Sequence, residues 1–132
     1  MIVADSDVLI DALRGREPVA SRIASGIRDG NLTTTAISVF ELLSGARTDS
    51  ERHKVTRLLG GLMILPCDEQ AGIVAAEIRR RLEAQGATIG MADYLIAGVC
   101  LSRSATLLTR NLDHFERIPD LTLGNISDLP AQ

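Results

Sequence analysis

The sequence predicts an α/β domain with three layers, helices covering both faces of a central, mostly parallel sheet of four to five strands. Three observations carry that prediction. Short apolar runs alternate with longer stretches of helical periodicity along the whole chain. The first run, ahead of Asp5, is apolar throughout, as a strand buried on both faces requires. Glycine-containing turns at Gly15, Gly30-Asn31, Gly60-Gly61 and Gly86 separate the segments.

The elements follow in order. Residues 1–4 form the first strand, and Asp7 stands where a helix N-cap is expected before the apolar residues 8–13. Pro18 can open a second helix at its first turn, with Val19, Ile23 and Ile27 on one face. A brief strand follows at 32–34, after which Ser38 is expected to cap a third helix, with Glu41 in the capping-box position. A fourth helix spans about 49–59, and Met63-Ile64-Leu65 before Pro66 reads as the third strand. The long helix over about 68–85 keeps Val74, Ile78 and Leu82 on one face and turns Arg79 to Arg81 outward. Residues 91–101 are nearly all apolar or small, which predicts a helix buried on most sides. Residues 106–109 and 121–123 supply the last two strands. With no internal repeat and no linker-like change of composition, residues 1–132 are read as one domain.

Composition narrows the function. Although 45% of the 132 residues are hydrophobic, no window approaches the roughly 18 uninterrupted apolar residues of a membrane span. The first residues lack the basic start of a secretory signal, so a soluble, cytoplasmic protein is expected. Cys67 and Cys100 are too few for a disulfide framework and lack zinc-ligand spacing, and both are expected to be buried thiols. A net charge of −3 argues against holding nucleic acid by bulk phosphate neutralisation. Phe40, Tyr94 and Phe115 are the only aromatics, too few for a row of base-stacking platforms. Of the 14 basic residues all but Lys54 are arginine, whose planar fork suits phosphate, although genomic composition bias explains the excess equally well.

Parallel sheets gather ligands at the carboxyl ends of their strands, the edge at which Asp5 lies. Asp5, Glu41 and Asp93 are each embedded in an apolar segment, where a lone carboxylate is costly unless paired, protonated or bound to a cation. Singly, each has an ordinary explanation: a turn, a capping box, a helix dipole. Together they offer the hard oxygen ligands that Mg²⁺ or Mn²⁺ requires, the equipment of metal-assisted phosphodiester hydrolysis. Covalent acyl chemistry is weakly supported, because Ser6 and Ser38 have no evident His-and-acid pair, and the only histidines are His53 and His114. No Gly-rich phosphate loop of the nucleoside-triphosphatase type occurs.

Four segments carry a family resemblance: Val3-Ala4-Asp5-Ser6-Asp7-Val8-Leu9-Ile10-Asp11, Ser38-Val39-Phe40-Glu41-Leu42, Met91-Ala92-Asp93-Tyr94-Leu95-Ile96-Ala97, and Leu108-Thr109-Arg110-Asn111-Leu112-Asp113-His114-Phe115. In their order and spacing the chain resembles PIN-domain ribonucleases of the VapC toxin kind, found in bacterial toxin-antitoxin pairs. The resemblance covers essentially the whole sequence. It implies a PIN-like α/β/α fold, Asp5, Glu41 and Asp93 as metal-binding catalytic acids, Mg²⁺ or Mn²⁺ as cofactor, and RNA as substrate. Many such proteins have an Asp just before the last Phe, where this chain has His114, so the fourth acidic position falls to Asp113, with Asn111 hydrogen-bonding in the pocket. Ser6 and Thr109 are candidates to hydrogen-bond a carboxylate or phosphate, against a role as strand-end hydroxyls satisfied by backbone. Asp7 has two readings, helix cap or further pocket acid. Arg14, Arg16 and Arg110 are candidate RNA phosphate contacts, against ordinary solvated charge. The resemblance also implies a homodimer and a VapB-like antitoxin that presents an Arg to the carboxylates, where its fork replaces the cation's charge.

Rival readings remain at this point. Asp5-Ser6-Asp7 after a first strand suits a haloacid-dehalogenase-like phosphatase, but the following Gly-Thr and a well-placed later Lys are missing. A phosphate-receiving signalling domain needs a Lys after a late strand, where this chain has Thr109-Arg110-Asn111. A silent scaffold that binds RNA or protein without cutting is the alternative outside enzymology. Which RNA is cut is open, because selectivity depends on shape and exposed bases rather than on the metal site.

Overall fold

The computed structural model describes residues 1–131. In chain order the elements are β1 Ile2–Ala4, α1 Ser6–Leu13, α2 Val19–Arg28, β2 Leu32–Thr35, α3 Ala36–Gly45, α4 Asp49–Gly60, β3 Met63–Leu65, α5 Glu69–Ala84, α6 Met91–Ser102, β4 Thr106–Leu108, α7 Leu112–Phe115 and β5 Thr122–Leu123. A short 3-10 turn follows at Ile126–Asp128. The strands lie in the order β3-β2-β1-β4-β5, and each neighbouring pair runs parallel. The expected parallel α/β sheet is therefore present with five strands.

This order has a direct consequence for function. The chain winds outward from β1 to β3, then returns to the other side of β1 to lay down β4 and β5. Connections leaving β1 and β4 diverge, opening a crevice at their carboxyl ends. Ile2 lies opposite Thr106 and Ala4 opposite Leu108, so the next residues, Asp5 and Thr109, leave the sheet side by side.

Alternation along the strands divides the core into two layers. Val3 and Leu107 face one way and pack with Ile78 and Leu82 of α5 and Ile96 and Val99 of α6. Ala4 and Leu108 face the other way, against Leu9 of α1, Ile23 of α2 and Val55 of α4. Full burial of a Leu or Ile side chain contributes about 1.5–3 kcal/mol before entropy is counted, so these layers dominate the fold's stability.

Strand β2 buries three consecutive threonines, a polar run in a central strand. Their β-branching suits the extended backbone. Two hydroxyls are satisfied by the neighbouring strand, since Thr33 Oγ1 donates to Ile2 O at 2.8 Å and Thr34 Oγ1 to Ala4 O at 2.7 Å. The second bond secures the last carbonyl of β1, directly ahead of Asp5.

Three local expectations need correction. The third helix is capped by Thr35, whose hydroxyl accepts from Ser38 N, so Ser38 lies inside α3 and Glu41 closes no capping box. Thr35 takes this role because it holds the extended backbone that ends β2. Cys67 is exposed, because it sits in the connection between β3 and α5 rather than on a packed face, whereas Cys100 is buried. The four-residue helix α7 is absent from the sequence-based expectation, being too short to express a periodicity. Among the described residues, no helix is long and apolar enough to cross a membrane.

Helices α5 and α6 pack closely because Gly98 has no side chain. A Cβ there would lie 2.4 Å from Ala71 O and 2.9 Å from Ala75 Cβ, so α5 backbone would have to retreat. Gly98→Ala is expected to lower stability by about 1–3 kcal/mol through overpacking, despite alanine's higher helix propensity. A denaturant titration measures this, and an unchanged midpoint would mean that the α5–α6 contact is looser than described.

Candidate active site

Asp5 ends β1 and begins α1 at the same residue. Its backbone N–H donates to Leu108 O at 2.9 Å, extending the pairing with β4. Its backbone is extended, and its Oδ1 accepts from Ser6 N at 2.8 Å, which makes Asp5 the N-cap of α1. The carboxylate therefore lies at the positive end of the helix dipole.

Residues after β4 complete this side of the crevice. Thr109 Oγ1 is 2.8 Å from Asp5 Oδ2 and 3.3 Å from Asp7 Oδ2. One hydroxyl carries one proton, and the shorter contact assigns its donation to Asp5. Asp7 Oδ2 is served instead by the backbone N–H of Arg110 at 3.0 Å. Thr109 Oγ1 also accepts from Asn111 N at 3.0 Å, which orients the hydroxyl.

The other two acids arrive on helices. Glu41 is carried by α3, which starts directly after β2, and its Oε1 accepts from Ser6 Oγ at 3.1 Å. Asp93 sits in the first turn of α6. Its Oδ2 lies 2.8 Å from His114 Nδ1 and 3.4 Å from Asn111 Nδ2, while those two nitrogens are 2.9 Å apart. A ring nitrogen cannot donate to Asp93 and accept from Asn111 at once, so the tautomer of His114 selects which bond forms.

Burial and mutual repulsion make this group electrostatically uncomfortable. Burial, then the charge of Asp7, push Asp5 up to about 6, with Glu41 adding a smaller push, while the bonds from Thr109 and Ser6 oppose the rise. Burial also raises Asp7, against the backbone N–H groups of Arg110 and Val8 and the positive charge of Arg110. Asp7 Oδ1 is a buried oxygen with no hydrogen-bond partner. An orphaned carboxylate oxygen beside the buried carboxylate of Asp5 is the environment a small divalent cation would relieve, and the oxygen-only donor set is chemically right for one. Among the described residues, no three acidic, histidine or cysteine side chains converge as a ready-made chelate. Mg²⁺ does not demand that, since it keeps several waters and needs only one or two direct carboxylates.

The structure distributes the sequence-derived candidates unevenly. Asp5, Asp7, Ser6, Glu41 and Thr109 form one hydrogen-bonded group, and Asp93, Asn111 and His114 form a second. Asp7 is not the cap of α1, because Asp5 already occupies that position one residue after the strand. Asp113 is exposed in α7, and no hydrogen bond or ion pair joins it to either group, whereas His114, one residue on, turns inward. Arg14 is exposed at the end of α1, while Arg16 and Arg110 both pair with Asp11. Asp11 is a buried acid that sequence reasoning passed over. Its signal was an acid between Ile10 and Ala12, one helical turn beyond Asp7 on the same face.

The position of Asp5 leads to a stability test. Below its ordinary value of 3.8 Asp5 is protonated both folded and unfolded, without penalty; between about 4 and 6 the unfolded chain ionises first, so folding stability falls as pH rises. In metal-free buffer, Asp5→Asn is expected to melt higher than the wild type at pH 7.5, with the gap closing towards pH 4. A variant that melts lower at pH 7.5 would contradict the strain assigned to this carboxylate.

Comparison with known proteins identifies the family. A model of the PIN domain matches residues 2–121. The ribonuclease VapC10 of Mycobacterium tuberculosis is 37% identical over 121 residues, covering 92% of this chain and 90% of that protein. The tRNA(fMet)-specific endonuclease VapC of Salmonella typhimurium is 28% identical over 123 residues, covering 90% and 92%. Among solved structures, VapBC2 from Rickettsia felis, bound to a DNA fragment from its promoter, superimposes with a TM-score of 0.86 at 26% identity, over 95% of this chain and 98% of that one. The fold, the carboxylates at its switch point and these relatives together establish that the chain belongs to the PIN-domain family, in its VapC branch.

Proposed function

We propose that this protein is a divalent-metal-dependent endoribonuclease that serves as the toxin of a toxin-antitoxin pair. The observation that carries the reading is the buried carboxylate of Asp5 beside the half-buried Asp7, whose inner oxygen has no partner, at the carboxyl ends of β1 and β4. Relatives named as VapC ribonucleases support the substrate class, and the VapBC complexes among structural neighbours support a VapB-like antitoxin as partner.

Asp5, Glu41 and Asp93 would hold Mg²⁺ or Mn²⁺, one or two of them directly and the others through waters the ion keeps, with the unpartnered oxygen of Asp7 close by. Such an ion, when bound, polarises a phosphoryl oxygen and activates a water at neutral pH. The protein's own groups set the geometry. Ser6 links Asp5 to Glu41 through its N–H and its hydroxyl, and Thr109 fixes the orientation of Asp5. His114 and Asn111 orient Asp93, with His114 at the position where the family resemblance implies a fourth acid. The groove lined by Leu13, Leu42 and Val55 leads to Glu41 and offers an antitoxin segment a path to the carboxylates. Homodimerisation is part of the same proposal and is read by sizing the purified protein with and without its partner.

The test is cleavage of total bacterial RNA by antitoxin-free protein, with new 5′ ends mapped. The wild type is expected to produce discrete ends with Mg²⁺ or Mn²⁺ and none with EDTA, and Asp93→Asn none in either. His114→Ala is expected to lose about 10–100-fold in rate by freeing Asp93. Asp113→Asn is expected to cut like the wild type, given its exposed position. No new ends from folded wild type with either metal would transfer the weight to a silent PIN scaffold.

A further inference from the structure

Asp11 is 4% exposed, yet two arginines from different parts of the chain converge on it. Arg16 reaches Oδ1 through Nη1 at 3.0 Å, and Arg110 reaches Oδ2 through Nε at 3.0 Å. Arg16 comes from the turn after α1, Arg110 from the connection between β4 and α7. The backbone N–H of Arg110 is already bonded to Asp7, so this one residue runs from the carboxylate pocket to Asp11, a helical turn away along α1. Both arginine side chains are more than half exposed, 53% and 56%, while that of Asp11 is 6%. Arg16 hydrogen-bonds Asp11 and Arg110 forms an ion pair with it, and among the described residues no further protein acceptor takes a guanidinium N–H of either.

One buried negative charge thus supports two positive ones, leaving a surplus of positive charge at the surface beside an acidic pocket. A chain of net charge −3 needs such a local device to bring a polyanion to its carboxylates. Guanidinium forks held at one side and open at the other present paired donors to phosphate oxygens. We propose that Asp11 is a positioning residue that holds Arg16 and Arg110 as a two-pronged clamp for RNA backbone phosphates at the rim of the pocket. The clamp rests on the nuclease reading only in taking its phosphates from that enzyme's substrate.

The test combines binding of a labelled single-stranded RNA in EDTA, where cleavage is suppressed, with steady-state cleavage in Mg²⁺. Arg16→Gln and Arg110→Gln are each expected to weaken binding and raise KM much more than they lower kcat. Each should reduce the slope of log Kd against log salt by about 0.7, the value of one lost single-strand phosphate contact. Asp11→Asn discriminates most sharply. It removes a negative charge, so charge alone would tighten RNA binding, whereas a clamp that loses its support binds more weakly with both arginines still present. Arg110→Lys retains the charge without the fork and remains decisive even where Asp11→Asn fails to fold: weaker binding supports the clamp, wild-type binding overturns it. Unchanged salt slopes in the glutamine variants, or tighter binding by Asp11→Asn, would also overturn it. If the wild type binds RNA but cuts none, the nuclease reading fails while the binding arm still decides the clamp; if it cuts and the arginine variants keep its KM, the clamp alone fails.

Discussion

The parallel pairing of β1 with β4 is the constraint on which everything near the site depends. Because Ala4 lies opposite Leu108, the two strands end together, and Asp5 and Thr109 meet at 2.8 Å without any loop having to be steered there. A shift of one residue would turn Val3 and Ala4 to the wrong faces and carry Asp5 away from Thr109. The two core layers therefore specify the register, and the register specifies the site. Thr34 reinforces the arrangement by bonding the last carbonyl of β1 from the other side.

That rigid frame holds groups that repel one another. Asp5 and Asp7 are kept close by α1, whose first turn includes both the cap and its second neighbour. Only one hydroxyl and a few N–H groups offset their charges, and one oxygen is left with nothing. A fold optimised for stability alone would replace one of these acids. Their presence together fits a pocket completed by a positive charge, as the proposed function requires.

Charge is organised on a second scale around Asp11. Asp7 keeps an oxygen without a partner, whereas Asp11 pairs with two arginines, so α1 carries along one face two carboxylates in contrasting surroundings. Arg110 joins the two, with its backbone on Asp7 and its side chain on Asp11.

Local pattern alone determined the alternation of elements, the parallel sheet, and the anomalous acids Asp5, Glu41 and Asp93, because burial of strands and helix faces leaves a periodic record in residue type. Breakdown of that record, an acid inside an apolar run, is equally local and equally legible. Contacts between distant segments leave no such record. Nothing near Asp7 says that its cap position is taken by Asp5 or that its partner is Arg110, a hundred residues away. That His114 rather than Asp113 meets Asp93 depended on which side of a four-residue helix turned inward, a matter too short for periodicity to report. The convergence of Arg16 and Arg110 on Asp11 likewise depended on how the end of α1 meets the chain after β4, which only the folded sheet brings together.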